Sequence, residues 1–529
     1  MSGAKKTGSS AKRRAGVLLH ITSLPSKEGI GTLGKSAFLF CDWLKKSGLS
    51  LWQMLPLGPT GYGDSPYASF SSFAGNPLLI DVSDLENRGW AKKGSVRVPQ
   101  KLKAQKSVDY GSLVEWKIPL LYKCAEYFLL NASPSQKKQF SSFKKKNDSW
   151  LSDYALFTSI KNFYDKKASE EKVWGEASRW NNFWEKPLAR HEAEALKKWT
   201  LSHSEELEFI KAVQFFFFTQ WNDLKKYAAK SGIKIIGDIP IFVAADSADF
   251  WANQKFFQMN LRTLVQKSQA GVPPDYFSST GQLWGNPLYD WKALKADGYS
   301  WWIKRISHVM TLVDVVRIDH FRGFESYWSV PYGEKTAVNG KWVKGPGKDL
   351  FDAVKASCPG AEIIAEDLGI ITKKVEALRD SCGFPGMKIL QFAFNENPWT
   401  EESEKNLYLP ENYKTENCVV YTGTHDNNTT VGALKENPLQ YKWNVCDRLG
   451  ISDSESEEKI CDVLVECAYS SKAKYCIIPM QDILKTGSEG RMNMPSRSGG
   501  NWTWKINGPL PGAAVQKKLF ALAEKYARI

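Results

Sequence analysis

The sequence is most restrictive in what it lacks. Its nine cysteines are scattered, with no CxxC pair and no Cys/His spacing suited to zinc. That excludes a disulfide framework and a zinc module, and it points to reduced thiols in a cytoplasmic compartment. The calcium pattern DxDxDG is absent, and the glycine-rich stretch Gly58–Tyr67 has no P-loop lysine, so neither an EF-hand nor a phosphate cradle is expected. No apolar run approaches the roughly 20 residues of a membrane span. Val17-Leu18-Leu19 is interrupted by His20 and is too short for a signal-peptide core. There is no internal repeat, and no low-complexity segment beyond the first residues. No metal or cofactor is implied.

The 529 residues carry a net charge of +14, and Lys5, Lys6, Lys12, Arg13 and Arg14 supply five of those positives without an acid among them. Residues 1–14 read as a flexible basic tail. The remaining excess is dispersed, without the basic helix and interleaved aromatics that mark a nucleic-acid partner. Aromatic residues are plentiful, with 21 Trp, 20 Tyr and 27 Phe. Most belong to packing, although flat rings also suit sugars.

Eight apolar runs read as strands: 16–21, 49–57, 233–241, 313–319, 361–367, 387–394, 418–426 and 476–480. Helical periodicity separates most of them, which specifies an α/β fold, a (β/α)₈ TIM barrel over 15–529. A Lys/Glu-rich helical insertion is expected at about 82–230. A lid or loop insertion is expected at about 245–300, with Ala270–Pro287 as an irregular segment.

The chemistry gathers at strand ends. Val313–Phe324 starts apolar and ends in Arg317, Asp319, His320 and Arg322. Arg317 and Asp319 share a strand face, so the guanidinium is expected to keep that carboxylate ionised. Glu366 follows another apolar run and has Asp367 beside it, conditions that raise a carboxyl pKa. Asp426 closes a third run, beside His425. Each acid alone could be a structural ion pair. Together, at the catalytic face of a barrel, they fit glycosyl transfer, with one carboxylate attacking and one carboxylic acid donating its proton.

These stretches carry a resemblance. Leu18-Leu19-His20 with Thr22–Ser26, Gly58–Tyr67, Gly237–Pro240, Pro273–Asp275, Asn286-Pro287, Arg317–Gly323, Ala365–Gly369 and Thr422–Asn427 resemble the amylomaltase family of 4-α-glucanotransferases over nearly the whole chain. The resemblance implies Asp319 as nucleophile, Glu366 as acid/base and Asp426 as transition-state stabiliser. It implies Tyr62, Asp275, Gln282, Trp284, Arg317 and His425 as substrate contacts, with α-1,4-glucans or maltooligosaccharides as the partners. Two positions depart from the family pattern: Ile21 replaces a proline, and Asn493–Arg497 replaces Asn-x-Pro-Gly-Thr. An α-glucan hydrolase on the same scaffold and a non-catalytic glucan-binding protein remain the alternatives.

Overall fold

The computed structural model describes residues 12–61, 63–274, 278–395, 400–436, 440–495, 497 and 499–529. Eight parallel strands form one sheet: β1 (Arg14–Leu18), β2 (Leu51–Gln53), β3 (Lys234–Pro240), β4 (Val315–Asp319), β5 (Ile363–Ala365), β6 (Gly386–Ile389), β7 (Cys418–Tyr421) and β8 (Tyr475–Pro479). Their order is β5-β4-β3-β2-β1-β8-β7-β6. The seam between β5 and β6 is bridged where the Ala365 N–H donates to the Pro385 carbonyl at 2.9 Å. The Met387 N–H adds a bond to Asp367 Oδ1 at 2.7 Å. The expected (β/α)₈ barrel is therefore the fold.

Period-two alternation sorts the side chains. Leu18, Leu51, Ile236, Val315, Ile364, Ile389, Val419 and Ile477 fill the barrel. Val17, Trp52, Ile235, Val316, Ile363, Val420 and Cys476 face the surrounding helices. Every one of these is buried, which is why the strands read as unbroken apolar runs. Strand ends were less legible. The second run pairs only over Leu51–Gln53, and β1 begins at Arg14, inside the stretch read as a tail.

Between β2 and β3 the chain is helical, dominated by α1 (Tyr110–Asn131), α2 (Pro134–Glu171) and α3 (Ser204–Lys230). A capping box of Ser133 and Gln136 starts α2, with Pro134 in its first turn. The helices pack through rings: Phe128 and Phe140 meet edge-on at 5.8 Å, and Trp90 stacks on Phe216 at 5.0 Å. Buried Lys117, from α1, reaches Glu28 of the β1–β2 connection at 2.6 Å, tying these helices to the barrel.

The irregular reading of Ala270–Pro287 is corrected. Ser268–Val272 and Gln282–Pro287 are strands of a four-stranded antiparallel sheet completed by Ser326–Pro331 and Lys341–Lys344. The signal was hidden by Gly and Pro and by a register shift between Gln269 and Gly271. A Cβ on Gly271 would lie 2.5 Å from the Gln282 carbonyl oxygen, so the close approach of the strands requires glycine. Asp275 lies outside the described residues, as does Tyr62.

Candidate active site

The C-terminal ends of β3, β4 and β5 build the centre. Asp238 lies on β3 directly beside Arg317 on β4 in register. Arg317 donates to Asp238 Oδ2 at 2.5 Å and reaches Asp319 Oδ1 at 3.0 Å. The Tyr67 hydroxyl adds a bond to Asp238 at 2.8 Å. One buried guanidinium therefore spans two carboxylates, which offset the cost of burying its charge. Tyr421 and Gln53 extend this polar layer through a 2.8 Å hydrogen bond.

Ile318 pairs with Ala365. Asp319 and Glu366 are consequently the next residues on adjoining strands, where backbones run about 4.8 Å apart. His320 follows in the left-handed region, φ 52°, unusual for a side-chain-bearing residue. This turn aims the His320 N–H at Glu366 Oε2, 2.6 Å away, while the Leu368 N–H donates to Oε1 at 2.8 Å. The strain thus serves to fix the Glu366 carboxyl.

Burial pushes the Asp319 carboxyl well above the usual range, with Arg317 opposing and Glu366 adding to the rise. Burial also raises Glu366, against Arg317 and its two backbone donors. Desolvation and Glu366 thus work against the Arg317 ion pair at Asp319, and the charge on either carboxyl bears on the other. Tyr67 is raised too, by burial and by Asp238.

Asp426 is not at a strand end as expected. β7 stops at Tyr421, and Asp426 lies in the following loop, with its side chain 47 % exposed. Asn493 Nδ2 donates to its Oδ1 at 2.6 Å. His425 Nε2 is 3.5 Å from its other oxygen. The His425 ring stacks on Tyr67 at 5.2 Å and meets Trp502 at 5.9 Å. Burial lowers the His425 pKa, keeping it neutral, and its Nδ1 has no partner among the described residues.

Trp284 stands 38 % exposed on the antiparallel sheet, its ring edge-on to His320 at 4.8 Å. Its indole N–H donates to Gln282 at 3.2 Å. Trp284, Tyr67, Asn286 and Asp319 line one open groove of about 1100 Å³. Among the described residues, no group of His, Cys, Asp and Glu is disposed to hold a metal ion.

The sequence profile of 4-alpha-glucanotransferases matches residues 19–511. The chain belongs to that family. Similar curated relatives are the 4-alpha-glucanotransferases of Synechocystis sp., 44 % identical over 98 % of both chains, and of Thermus thermophilus, 44 % identical over 98 % of this chain and 99 % of the other. A chloroplastic/amyloplastic 4-alpha-glucanotransferase of Solanum tuberosum is 44 % identical over 94 % of this chain and 82 % of its own. Among solved structures, the amylomaltase of Streptococcus agalactiae in complex with acarbose superposes with a TM-score of 0.89 at 36 % identity, covering 98 % of this chain and 100 % of that one.

Within this glucanotransferase the sequence reading understated some contributors. Tyr67, Asp238, Asn493 and Trp502 hold Arg317, Asp426 and His425 in place. Asp238 was visible as a late carboxylate on a strand. Asn493 sits in the departing segment Asn493–Arg497, and no spacing rule pairs it with Asp426, 67 residues away. Asn501 holds that same loop by accepting from the Met494 N–H at 3.0 Å.

Proposed function

We propose that this 4-α-glucanotransferase moves a segment of a 1,4-α-glucan to the 4-hydroxyl of an acceptor glucan or glucose by retaining double displacement, with Asp319, Glu366 and Asp426 as its acids. The observation that carries the reading is the register of β4 and β5, with Ile318 opposite Ala365. It sets Asp319 and Glu366 one strand spacing apart. Retaining enzymes hold their two carboxyl groups roughly 5–5.5 Å apart, and neighbouring strand ends bring two acids into that range of approach.

Asp319 attacks the anomeric carbon as the bond to the leaving glucan oxygen breaks, and Glu366 gives that oxygen its proton. The product is a β-glucosyl ester on Asp319. Glu366, now a carboxylate, takes the proton of an incoming 4-hydroxyl, whose oxygen displaces Asp319 and restores the α-configuration. Glu366 must carry a proton at the moment of attack while Asp319 is ionised, and Arg317, 3.0 Å from Asp319, is placed to carry the opposing charge. Asp426, oriented by Asn493, takes the ring hydroxyls, with neutral His425 as a further donor. Gln282 and Trp284 contact the glucan and help to exclude water. The family resemblance makes Tyr62 and Asp275, which lie outside the described residues, further substrate contacts.

Incubation with pure maltotriose tests this. A ladder of longer glucans plus glucose supports transfer, whereas new reducing ends without elongation would make the chain a hydrolase. No product at all would leave only glucan binding. Among the described residues no helix is long and apolar enough to cross a membrane. The unpaired state of Cys41, Cys124 and the other cysteines supports a cytoplasmic, reducing location, which cell fractionation would check.

A further inference from the structure

The groove that exposes Asp319 has a wall supplied by the helices between β2 and β3. Val173, Trp174, Glu176 and Arg179, immediately past α2, line it together with Asp319 and Trp284. Trp174 is 64 % exposed, the most exposed of the large rings that remain open to solvent. Its ring has no aromatic neighbour within stacking distance among the described residues. A single exposed apolar side chain requires no explanation. A tryptophan facing the same groove as the proposed nucleophile, on a segment pinned in place, does.

The pinning is specific. Helix α2 ends at Lys172 in the left-handed conformation, and the Val173 N–H returns to the Ala168 carbonyl at 2.8 Å. Trp174 is extended, and Gly175 at φ +66° turns the chain again. The Glu176 carbonyl accepts from Asn182 Nδ2 at 2.9 Å, while the Glu176 carboxylate faces Arg179 at 3.5 Å. That carboxylate also accepts the hydroxyl hydrogen bond of Tyr332, next to the antiparallel sheet that displays Trp284. The Trp174 backbone is therefore held between the helices and the sheet before any ligand arrives. A preformed platform loses little entropy on binding.

We propose that Trp174 is a sugar-stacking platform that sets this enzyme's preference for long glucan chains. The indole face would cover the apolar face of a glucose unit that does not react, while Lys161 and Asp246, paired at 2.7 Å in the same groove, offer polar partners to its hydroxyls. The inference requires Trp174 to meet a glucose unit remote from the bond reacting at Asp319, a position that a long amylose chain fills and a maltotriose leaves empty. The inference rests on the transferase reading above and concerns its substrate range alone.

The test compares wild type, Trp174→Ala and Trp174→Phe with maltotriose and with long amylose as donors, glucose being the acceptor in both. For Trp174→Ala the expected result is a rise of about 3- to 10-fold in KM for amylose, the range that loss of one ring-stacking contact gives. The amylose kcat and all maltotriose constants stay at wild-type values, and Trp174→Phe recovers most of the loss. The exposed site predicts an unchanged melting temperature. Equal constants for wild type and Trp174→Ala on both donors would overturn the inference, as would an equal loss on both. Absence of maltotriose disproportionation by wild type would instead overturn the transferase reading, so the two failures are distinguishable.

Discussion

Glu362 and Glu366 bracket β5, four residues apart and on the same face of the strand, and the barrel treats them in opposite ways. Glu362, at the N-terminal end, is held by Lys474 at 2.8 Å, Lys234 at 3.2 Å and the Tyr475 hydroxyl. Burial alone would raise it, but these donors outweigh burial and its pKa is lowered. Glu366, at the C-terminal end, accepts from two backbone N–H groups and feels the Arg317 guanidinium, yet burial raises it. One residue type on one strand thus yields a carboxyl pushed down at the closed end and one pushed up at the open end. Perturbed carboxyls collect at the open end of the barrel, whereas at the closed end the acid's charge is matched by lysines.

The comparison can be broken most forcefully at the open end. Asp319→Asn should reduce maltotriose disproportionation by more than about 10⁴-fold, and Glu366→Gln by about 10²- to 10⁴-fold. Circular dichroism should show both variants folded, since each change removes charge from a crowded buried pair. Residual transfer above those limits would strip the residue of its role.

Arg317→Met probes the cation at the centre of the open end. It leaves Asp238, whose side chain is fully buried, without its partner. Stability should fall by about 3–5 kcal/mol in denaturant titration, and activity should vanish with it. A folded, stable variant would show that the cluster is not held by this guanidinium.

A pH effect sharpens the contrast between charge that is matched and groups kept neutral. Burial lowers His20 to about 3, His308 to about 4 and His320 to about 3. Below pH 6.5 the unfolded chain takes up protons at these sites that the folded chain refuses. Their contribution is therefore intact above pH 6.5 and is lost as pH falls, at about 1.4 kcal/mol per histidine per pH unit until the folded values are reached. Melting temperature should drop steadily between pH 6.5 and 5. A flat profile would mean that these imidazoles are protonated in the fold.

The smallest effect belongs to the closed end. Glu362 is about a quarter exposed, so Glu362→Gln should cost about 1 kcal/mol or less. The maltotriose kcat should not change. A loss of activity comparable to that of Glu366→Gln would abolish the distinction between the two ends.

Much of this architecture was legible in the residues. All eight barrel runs were recognisable because β-strands enclosed on both faces must be apolar at every position, as Val315-Val316 and Ile363-Ile364 are. Asp319 and Glu366 stood out because charge interrupts those runs at their C-terminal ends. The antiparallel sheet escaped notice because Gln282–Pro287 is short, partly exposed and only weakly apolar. Asp426 was placed on a strand because Cys418–Tyr421 continues without a polar break into Thr422.

The sequence by itself determined the barrel and singled out Asp319 and Glu366 as candidate acids, since alternation, strand length and the position of charge within an apolar run are local properties. Only the tertiary structure decided which way each acid is pushed. That depends on whether a lysine more than a hundred residues away, such as Lys474, or a backbone N–H from the next loop, such as that of His320, arrives within hydrogen-bonding distance. Dielectric burial and through-space charge obey distance in the folded molecule, and no spacing along the chain encodes it.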